Sequence, residues 1–341
     1  MNYQDEKNQK EMVKMKEIIS SLPYYVSDYF TARRTNTTTR TRVSYAYDIR
    51  KFFIWLQSSV KELKDIPLKD ISLEIIGSLT ARDIEEYIDF LQTDENNLNH
   101  ISGIQRKLSA LSSFFEYLYK SDLISNNPCD KVIKPKGAKD KRIVKMSPDE
   151  VVKYLDCIEY GHSSFTERQQ KYLQRTKERD LAIATLLLGT GIRVSECVGL
   201  DLEDLDFNNC RIKVVRKGGK IQNVPIGDEV VSALQRYLLI RDKYETDSSA
   251  LFLSIQKTRI TVQAVEDMIN KYAKAIGTAY HITPHKLRKT YGTELYQATG
   301  DIYLVASALG HNNVNTTKEH YAAQDEERLL NARNVVKLRS E

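Results

Sequence analysis

At 341 residues the chain is long enough for about two domains. Hydrophobic residues make up 41% of it and charged residues 28%, which is typical of a soluble protein with ordinary cores. The formal net charge is +5, from 51 basic and 46 acidic residues. This excess alone is weak evidence for a polyanionic partner, because the position of the charges matters more than their sum.

The cysteines and the apolar runs argue against several classes of protein. The four cysteines include no Cys-x-x-Cys pair, so neither a zinc site nor a disulfide framework is predicted. A charged segment without an apolar signal core follows Met1, and the longest apolar run, residues 181–189, is too short to span a bilayer. We therefore predict a cytoplasmic protein that does not contact a membrane.

The first part of the chain is patterned as a small all-α domain over residues 18–125. Residues 1–17 are charged and are predicted to form an N-terminal tail or a loose helix. Apolar residues then recur at helical spacing, most clearly in residues 39–57, 81–92 and 101–119. Thr80 and Asp83 are placed as an N-cap and its capping-box partner. We expect about four helices in this domain.

Basic residues are concentrated in two segments. Between residues 31 and 51 they are interleaved with threonines near a helix start, which suits contacts with phosphate. Residues 126–146 are predicted to be a cationic linker, because Asn127-Pro128 ends the preceding helix. A solvated surface without a partner is the alternative for both segments. The candidate polyanion-binding residues are Arg33, Arg34, Arg40, Arg42, Lys134, Lys136, Lys139, Lys141 and Arg142.

The second domain is predicted to span residues 147–341. Ser147 is placed as the N-cap of its first helix, and the polar residues 160–177 fit either an extended loop or a solvated helix. An apolar helix over residues 178–188 follows. Alternating apolar residues on both sides of Gly218-Gly219 then predict a β-hairpin with Lys217 at its tip. Helices resume over residues 228–244 and 262–275, so the fold is predicted to be mainly α with a small β-hairpin.

The stretch from residue 283 to 321 contains the polar residues around which the chain is organised. Thr283 as N-cap and Pro284 as first helical residue predict a helix start. His285 then lies in the first turn and Arg288 on the same face. A helix N-terminus favours anions, and phosphate is the obvious candidate.

Two further elements are predicted in this stretch. An apolar helix over residues 302–309 is closed by Gly310 and followed by His311. Residues 315–317 are then placed as the cap of a short helix that carries Tyr321. The arrangement is that of a polar site built at helix ends.

These residues suit phosphoryl transfer without a metal or a nucleotide, so no cofactor is predicted. Two arginines can hold phosphate oxygens in a fork and stabilise the charge that develops on them. A histidine and a lysine can exchange protons with the attacking and leaving oxygens, and a tyrosine in a cationic pocket can attack. Taken singly, each residue also fits a plain helix terminus or turn. The candidate set is Arg193, Lys217, His285, Arg288, His311 and Tyr321.

Five segments resemble, in order, the motifs of the tyrosine recombinase (phage integrase) family. They are GTGIRVSECVGLDLEDL, VVRKGGKIQNVPI, HKLRKT, LGHNNVNTT and HYA. A sixth segment, RKLSALSSFFEYLYKSDLISNNP, is similar to the end of that family's core-binding domain. The resemblance begins at about residue 18 and covers the rest of the chain.

The resemblance implies a role for each matched residue. Arg193 and Arg288 correspond to the phosphate clamps, and Glu196 to an acidic residue that braces the site. His285 corresponds to the general acid/base, Lys217 to the acid for the leaving group, and His311 to a hydrogen-bond donor to phosphate. Tyr321 corresponds to the nucleophile. It lies ten residues after His311, where many members have nine, and a ten-residue spacing resembles integrases of conjugative elements.

The resemblance also implies an architecture and a partner. It implies a two-domain clamp on double-stranded DNA, with an all-α, SAM-like core-binding domain and an α+β catalytic domain. A C-terminal helix over residues 324–339 would dock on a neighbouring subunit and form a homotetramer on two DNA sites. Packing of that helix on its own domain is the alternative.

Within the family, the layout resembles the single-protein Xer recombinases that resolve chromosome dimers. About 17 residues precede the first core helix, too few for the arm-binding domain of many integrases. A DNA translocase is a further candidate partner. The alternatives are an integrase or resolvase of a mobile element, a type IB topoisomerase, and a catalytically silent DNA-binding regulator.

Overall fold

The computed structural model describes residues 3–94, 99–137, 145–216, 218–310 and 314. The chain divides into two compact units, residues 1–140 and 141–341. Within the described ranges no helix has the length and apolar character needed to span a membrane.

The described residues of the first unit form helices and 3₁₀ turns as their regular elements. Its elements are α1 (Tyr3–Ile19), α2 (Tyr24–Ala32), α3 (Thr39–Ser59), α4 (Leu73–Ser78), α5 (Ala81–Thr93) and α6 (Ile101–Lys120), with 3₁₀ turns at Lys61–Leu63 and Leu68–Asp70. The three helices with the clearest periodicity thus form where predicted. Within residues 18–125, for which about four helices were expected, the described residues form five α-helices, α2 to α6, after the end of α1.

An aromatic core explains why these helices pack together. Phe52 and Phe53 on α3 and Phe114 on α6 are fully buried, and their rings meet those of Tyr25 and Tyr87 from α2 and α5. Each such side chain removes about 150–250 Å² from water. The aromatic residues at helical spacing in the sequence are therefore the residues that form the core.

The segment predicted as a tail or a loose helix lies largely in α1, which packs along α3. Met15 and Ile18 are buried against the aromatic core. Glu11 on α1 accepts a hydrogen bond from Arg40 Nη1 on α3 at 3.3 Å. The boundaries predicted for the tail, the two domains and the linker stay predictions.

The second unit combines helices with a small sheet. Its elements are α7 (Pro148–Tyr160), α8 (Glu167–Thr190), α9 (Val194–Val198), a 3₁₀ turn (Leu202–Asp204), β1 (Leu205–Asp206), β2 (Arg211–Val215), β3 (Ile221–Pro225), α10 (Asp228–Arg241), α11 (Val262–Ala275), α12 (Pro284–Thr299) and α13 (Ile302–Leu309). The three strands are antiparallel in the order β1-β2-β3, with Ile212 opposite Val224. The predicted hairpin is β2–β3, and β1 was not predicted.

Helix α8 unites the apolar helix predicted over residues 178–188 with much of the polar stretch before it. Thr166 caps its start, accepting from Gln169 N at 3.3 Å while Gln169 Oε1 accepts from Thr166 N at 2.9 Å. The solvated-helix interpretation therefore holds from Glu167 onward. At the other end, Gly191 has φ of +60° and terminates the helix in the left-handed conformation that favours glycine.

A buried polar network holds α8 to α11. Asp180 is completely buried, and its Oδ1 accepts from Arg179 Nη2 at 2.7 Å. Its Oδ2 accepts from the Tyr272 hydroxyl at 2.8 Å and from Thr176 Oγ1 at 2.9 Å. Burial lowers the pKa of Lys271, and the charge of Asp180, whose Oδ2 lies 3.7 Å from Lys271 Nζ, opposes that shift. Asp180 thus compensates two cations that have lost most of their contact with water.

Replacing Asp180 with asparagine is expected to destabilise the second unit by about 3–5 kcal/mol, because it leaves buried cations without a counter-charge. Tyr272→Phe removes one hydrogen bond to a charged acceptor, and a smaller loss of about 1.5–3 kcal/mol is expected. Urea unfolding followed by circular dichroism measures both. Asp156→Asn, at an exposed position on α7, is the matched control. Equal stability of the Asp180 and Asp156 variants would contradict this account of the network.

Candidate active site

Helix α12 begins as its sequence predicts. Thr283 caps it, accepting from Lys286 N at 3.3 Å, and Pro284 is the first helical residue. His285 lies exposed in the first turn. Arg288, one turn further along, is only 5% exposed. The two residues therefore share a helix face but differ in their contact with solvent.

Arg288 joins two other elements to α12. Its Nη1 donates to Gly191 O at 2.6 Å, at the end of α8, and its Nη2 donates to Leu309 O, at the end of α13. Both acceptors are C-terminal helix carbonyls without intrahelical partners, which cations stabilise. A Cβ on Gly191 would collide with Tyr291 of α12, so glycine is required there for close packing as well as for its φ.

Glu196 is shared between two arginines. Its Oε1 accepts from Arg193 Nη1 at 2.7 Å, and its Oε2 accepts from Arg193 N at 2.8 Å. The same Oε2 accepts from Arg216 Nη1 at 2.7 Å. The side chains of Glu196 and Arg216 are each 5% exposed, whereas that of Arg193 is 36% exposed. Of the two guanidinium groups, that of Arg193 therefore remains accessible to a ligand.

Arg216 belongs to this site and was missed in the sequence. It follows β2 directly, donates from Nη2 to Ala308 O at 3.0 Å on α13, and donates from Nε to Gln222 Oε1 at 2.9 Å on β3. A signal was present, because period-two alternation places residue 216 on the buried face of Ile212 and Val214. An arginine at an inward position of a strand is expected to have buried partners.

We call Arg193, Glu196, Arg216 and Arg288 the arginine–glutamate cluster. It draws together the α8–α9 turn, the hairpin, α12 and the end of α13. Of the predicted catalytic residues, the structure thus places Arg193 and Arg288 at one site, and Glu196 lies between Arg193 and Arg216. Lys217, His311 and Tyr321 lie outside the described residues. Lys217 adjoins Arg216 in the chain, and His311 adjoins Gly310.

The predicted polyanion-binding residues differ in their surroundings. Arg42 is only 7% exposed and donates from Nη2 to Thr39 Oγ1 at 3.2 Å, and burial lowers its pKa. The Arg40 side chain is 76% exposed although it pairs with Glu11. Lys134 and Lys136 are exposed, and Arg33 lies over the ring of Tyr29, 5.9 Å from its centroid. Lys139, Lys141 and Arg142 lie outside the described residues, and Arg34 lies near enough to Arg42 to lower its pKa further.

Among the residues that the structure describes, no three His, Cys, Asp or Glu side chains are grouped so that they could hold a metal ion. Cys197 on α9 is fully buried beside the cluster, and burial raises the pKa of its thiol, so it is not a reactive nucleophile.

Comparison with protein-family models covers nearly the whole chain. Residues 26–125 match the N-terminal SAM-like domain of phage integrases, and residues 136–328 match the phage integrase family. The chain belongs to the phage integrase family. The family that the sequence motifs predicted is thereby confirmed.

Similarity to individual proteins shows which type of phage integrase family member this is. Tyrosine recombinase XerS of Streptococcus uberis is 33% identical over 337 residues, which cover 89% of this chain and 93% of the relative. XerS of Streptococcus pyogenes serotype M2 is 32% identical, covering 87% and 90%. This phage integrase family member is therefore a Xer-type, site-specific tyrosine recombinase, an enzyme of DNA strand exchange.

Solved structures confirm the fold class. XerH bound to palindromic difH substrate, in a post-cleavage complex, superposes with a TM-score of 0.64 at 18% identity, covering 87% of this chain and 79% of that one. The Tn1549 transposon integrase in complex with circular intermediate DNA gives 0.62 at 21%, covering 90% and 99%. A lambda integrase dimer bound to a COC' core site gives 0.63 at 16%, covering 87% and 94%. The mainly α architecture with a small sheet is shared with these proteins.

Proposed function

We propose that this recombinase cuts and rejoins duplex DNA through a 3′-phosphotyrosyl intermediate formed on Tyr321. The Tyr321 hydroxyl oxygen attacks the scissile phosphorus, and the bond from phosphorus to the 5′-oxygen breaks. His285 takes up the tyrosine proton, and Lys217 donates a proton to the departing 5′-oxygen. The phosphodiester energy is retained in the covalent intermediate, so a 5′-hydroxyl from a partner strand can reverse the step.

The arginine–glutamate cluster is the observation that carries this proposal. A phosphodiester under attack gains charge on its non-bridging oxygens, and guanidinium groups that are already held in place stabilise it without reorganisation. Glu196 holds Arg193 at 2.7 Å, and two backbone carbonyls hold Arg288. Lys217 directly follows Arg216 in the chain, and His311 follows Gly310 at the end of α13, where the cluster binds. This adjacency supports the assignment of Lys217 as proton donor and of His311 as phosphate ligand at the same site.

We assign the recognition of DNA to the basic residues of the first unit and of the linker. Contacts with phosphate supply most of the affinity of such proteins and make it depend on salt. Arg33, Arg40, Lys134 and Lys136 are better placed for this than Arg42, which is buried. Four protomers would join two DNA sites through exchange of the helix predicted over residues 324–339, and two rounds of strand exchange would pass through a Holliday junction.

The biological role that similarity supports is the resolution of chromosome dimers, with a DNA translocase as a candidate regulator. This role rests on the identity to XerS over most of the chain. The ten-residue spacing between His311 and Tyr321 favours a second candidate, an integrase of a mobile element.

Covalent capture in the native host separates these roles. Cells that express the protein, with a Tyr321→Phe control, are lysed in denaturant, and the DNA attached to protein is sequenced. Enrichment at one chromosomal locus opposite the replication origin supports dimer resolution. Enrichment of captured DNA at the ends of a mobile element supports an integrase. Capture of DNA scattered over the genome supports a topoisomerase. Capture no greater than in the control overturns the covalent mechanism.

Deleting residues 324–341 is expected to reduce recombination between two sites by at least about 10²-fold, because bivalent assembly loses its contact between subunits. Relaxation of supercoiled DNA by single subunits would survive the deletion in a type IB topoisomerase. The two activities are measured on plasmids that carry two captured sites or one. Full recombination by the truncated protein would contradict the proposed exchange of the C-terminal helix.

A further inference from the structure

The two described glycines at the tip of the β2–β3 hairpin have open surroundings. Gly218 and Gly219 have φ of +87° and +81°, and a Cβ added to either would meet no atom within 4 Å. The turn is closed by Arg216 N donating to Lys220 O at 2.8 Å and Gly219 N donating to Arg216 O at 3.0 Å. Lys217, between Arg216 and Gly218 in the chain, lies outside the described residues, and Arg216 is the described residue at the base of this turn.

Arg216 holds that base against two different segments. One side of its guanidinium donates to Glu196, 20 residues earlier, and the other donates to Ala308 O, 92 residues later. Gln222, across the hairpin, accepts from Arg216 and donates to Ser307 O at 3.1 Å. The hairpin is thus joined to the carboxylate that holds Arg193 and to the last turn of α13.

The guanidinium of Arg216 is packed so closely that a side chain of another shape could not make the same contacts. A Cβ on Gly310 would lie 2.8 Å from Arg216 Nε and 3.0 Å from its Cζ, so glycine at that position admits the guanidinium. Three acceptors in different directions match the planar fork of arginine and not the single ammonium of lysine. Burial to 5% exposure makes each of these bonds difficult to replace with water.

We propose that Arg216 is a positioning residue that sets the leaving-group acid Lys217 against the scissile phosphate. This inference rests on the proposed function of Lys217. Arg216 does not touch DNA in this role; it fixes the hairpin relative to Glu196, so that the proton donor and the Arg193 clamp share one support. When a mutation away from the reacting atoms displaces a catalytic group by about 1 Å, the rate can fall by about 10²-fold.

A substrate that needs no leaving-group acid tests the assignment. Duplexes recovered by covalent capture are synthesised with oxygen or with sulfur at the 5′-bridging position of the scissile phosphate. A thiol is far more acidic than an alcohol, so a thiolate departs without a proton from the enzyme. Single-turnover cleavage is measured for the wild type and for Arg216→Lys, Gln222→Ala, Lys217→Ala and Arg211→Lys. Arg211 lies on β2, the strand that Arg216 follows; it is half-exposed and paired with Asp206, and it serves as the matched control.

We expect Arg216→Lys to slow cleavage of the oxygen substrate by about 10²-fold and the sulfur substrate by less than about 10-fold. Lys217→Ala shows the same pattern with a larger loss, up to about 10⁴-fold on the oxygen substrate. Gln222→Ala, which retains Arg216, is expected to lose less of the cleavage rate on the oxygen substrate and to recover it on the sulfur substrate. This variant keeps the test informative if Arg216→Lys does not fold. Arg211→Lys cleaves both substrates at the wild-type rate.

Two outcomes overturn the inference in different ways. If sulfur fails to restore Lys217→Ala, Lys217 is not the leaving-group acid, and the proposed function of that residue fails with the inference. If sulfur restores Lys217→Ala but Arg216→Lys and Gln222→Ala stay equally slow on both substrates, the inference alone is wrong.

Discussion

Replacing Tyr321 with phenylalanine is expected to abolish the covalent protein–DNA species and to lower strand cleavage by at least about 10⁴-fold. The change removes one hydroxyl oxygen and leaves the volume of the ring, so the loss reports on the nucleophile and not on packing. A captured duplex is incubated with the purified protein, and the covalent species is resolved on a denaturing gel.

Tyr303→Phe is the matched control for this experiment. Tyr303 lies in the first turn of α13 and is 72% exposed, so the loss of its hydroxyl is expected to leave cleavage at the wild-type level. A covalent species formed by Tyr321→Phe at the wild-type rate would show that another residue is the nucleophile.

Replacing Arg288 with alanine is expected to reduce cleavage by at least about 10³-fold while duplex binding stays largely intact. The guanidinium stabilises charge in the transition state, whereas the exposed basic residues supply most of the affinity. Single-turnover cleavage and a binding titration at fixed salt measure the two effects separately.

Stability has to be measured on the same variant. Arg288→Ala leaves the buried carbonyls of Gly191 and Leu309 without their donor, which costs about 2–5 kcal/mol in total. Arg288→Lys keeps the charge without the fork and separates folding from catalysis. Loss of binding in proportion to loss of cleavage in both variants would contradict the division between affinity and catalysis.

Short-range elements of this protein were predictable because their bonds close within a few residues. Ser147 accepts from Glu150 N at 3.2 Å, and the Glu150 carboxylate accepts from Ser147 N at 2.8 Å, as the capping-box pattern predicts. Thr283 likewise caps α12 with its side chain, which accepts from Lys286 N. The hairpin followed from period-two alternation around two glycines, and the aromatic core of the first unit from helical spacing.

Residues whose partners are distant were not predictable in the same way. Arg42 and Arg40 were equivalent in the sequence as basic residues beside threonines, yet one is buried and the other pairs with Glu11, 29 residues earlier. The sequence motifs named Glu196 as a brace without naming Arg216 as its second partner. In the sequence, a basic residue beside Lys217 also fits a solvated turn. Only the packing of the hairpin on α13 showed that Arg216 is instead buried and bound to Glu196.

The sequence by itself determined the family, the mainly α fold class and the identity of the candidate catalytic residues, because motifs and helix caps depend on neighbours in the chain. Only the tertiary structure decided how Arg288 is held and that Arg216 shares Glu196 with Arg193. Arg288 donates to a carbonyl 97 residues away, and Arg216 bridges two segments more than 100 residues apart. Bonds of that span depend on how helices and strands pack, and the local pattern of residues does not encode which of many arginines will make them.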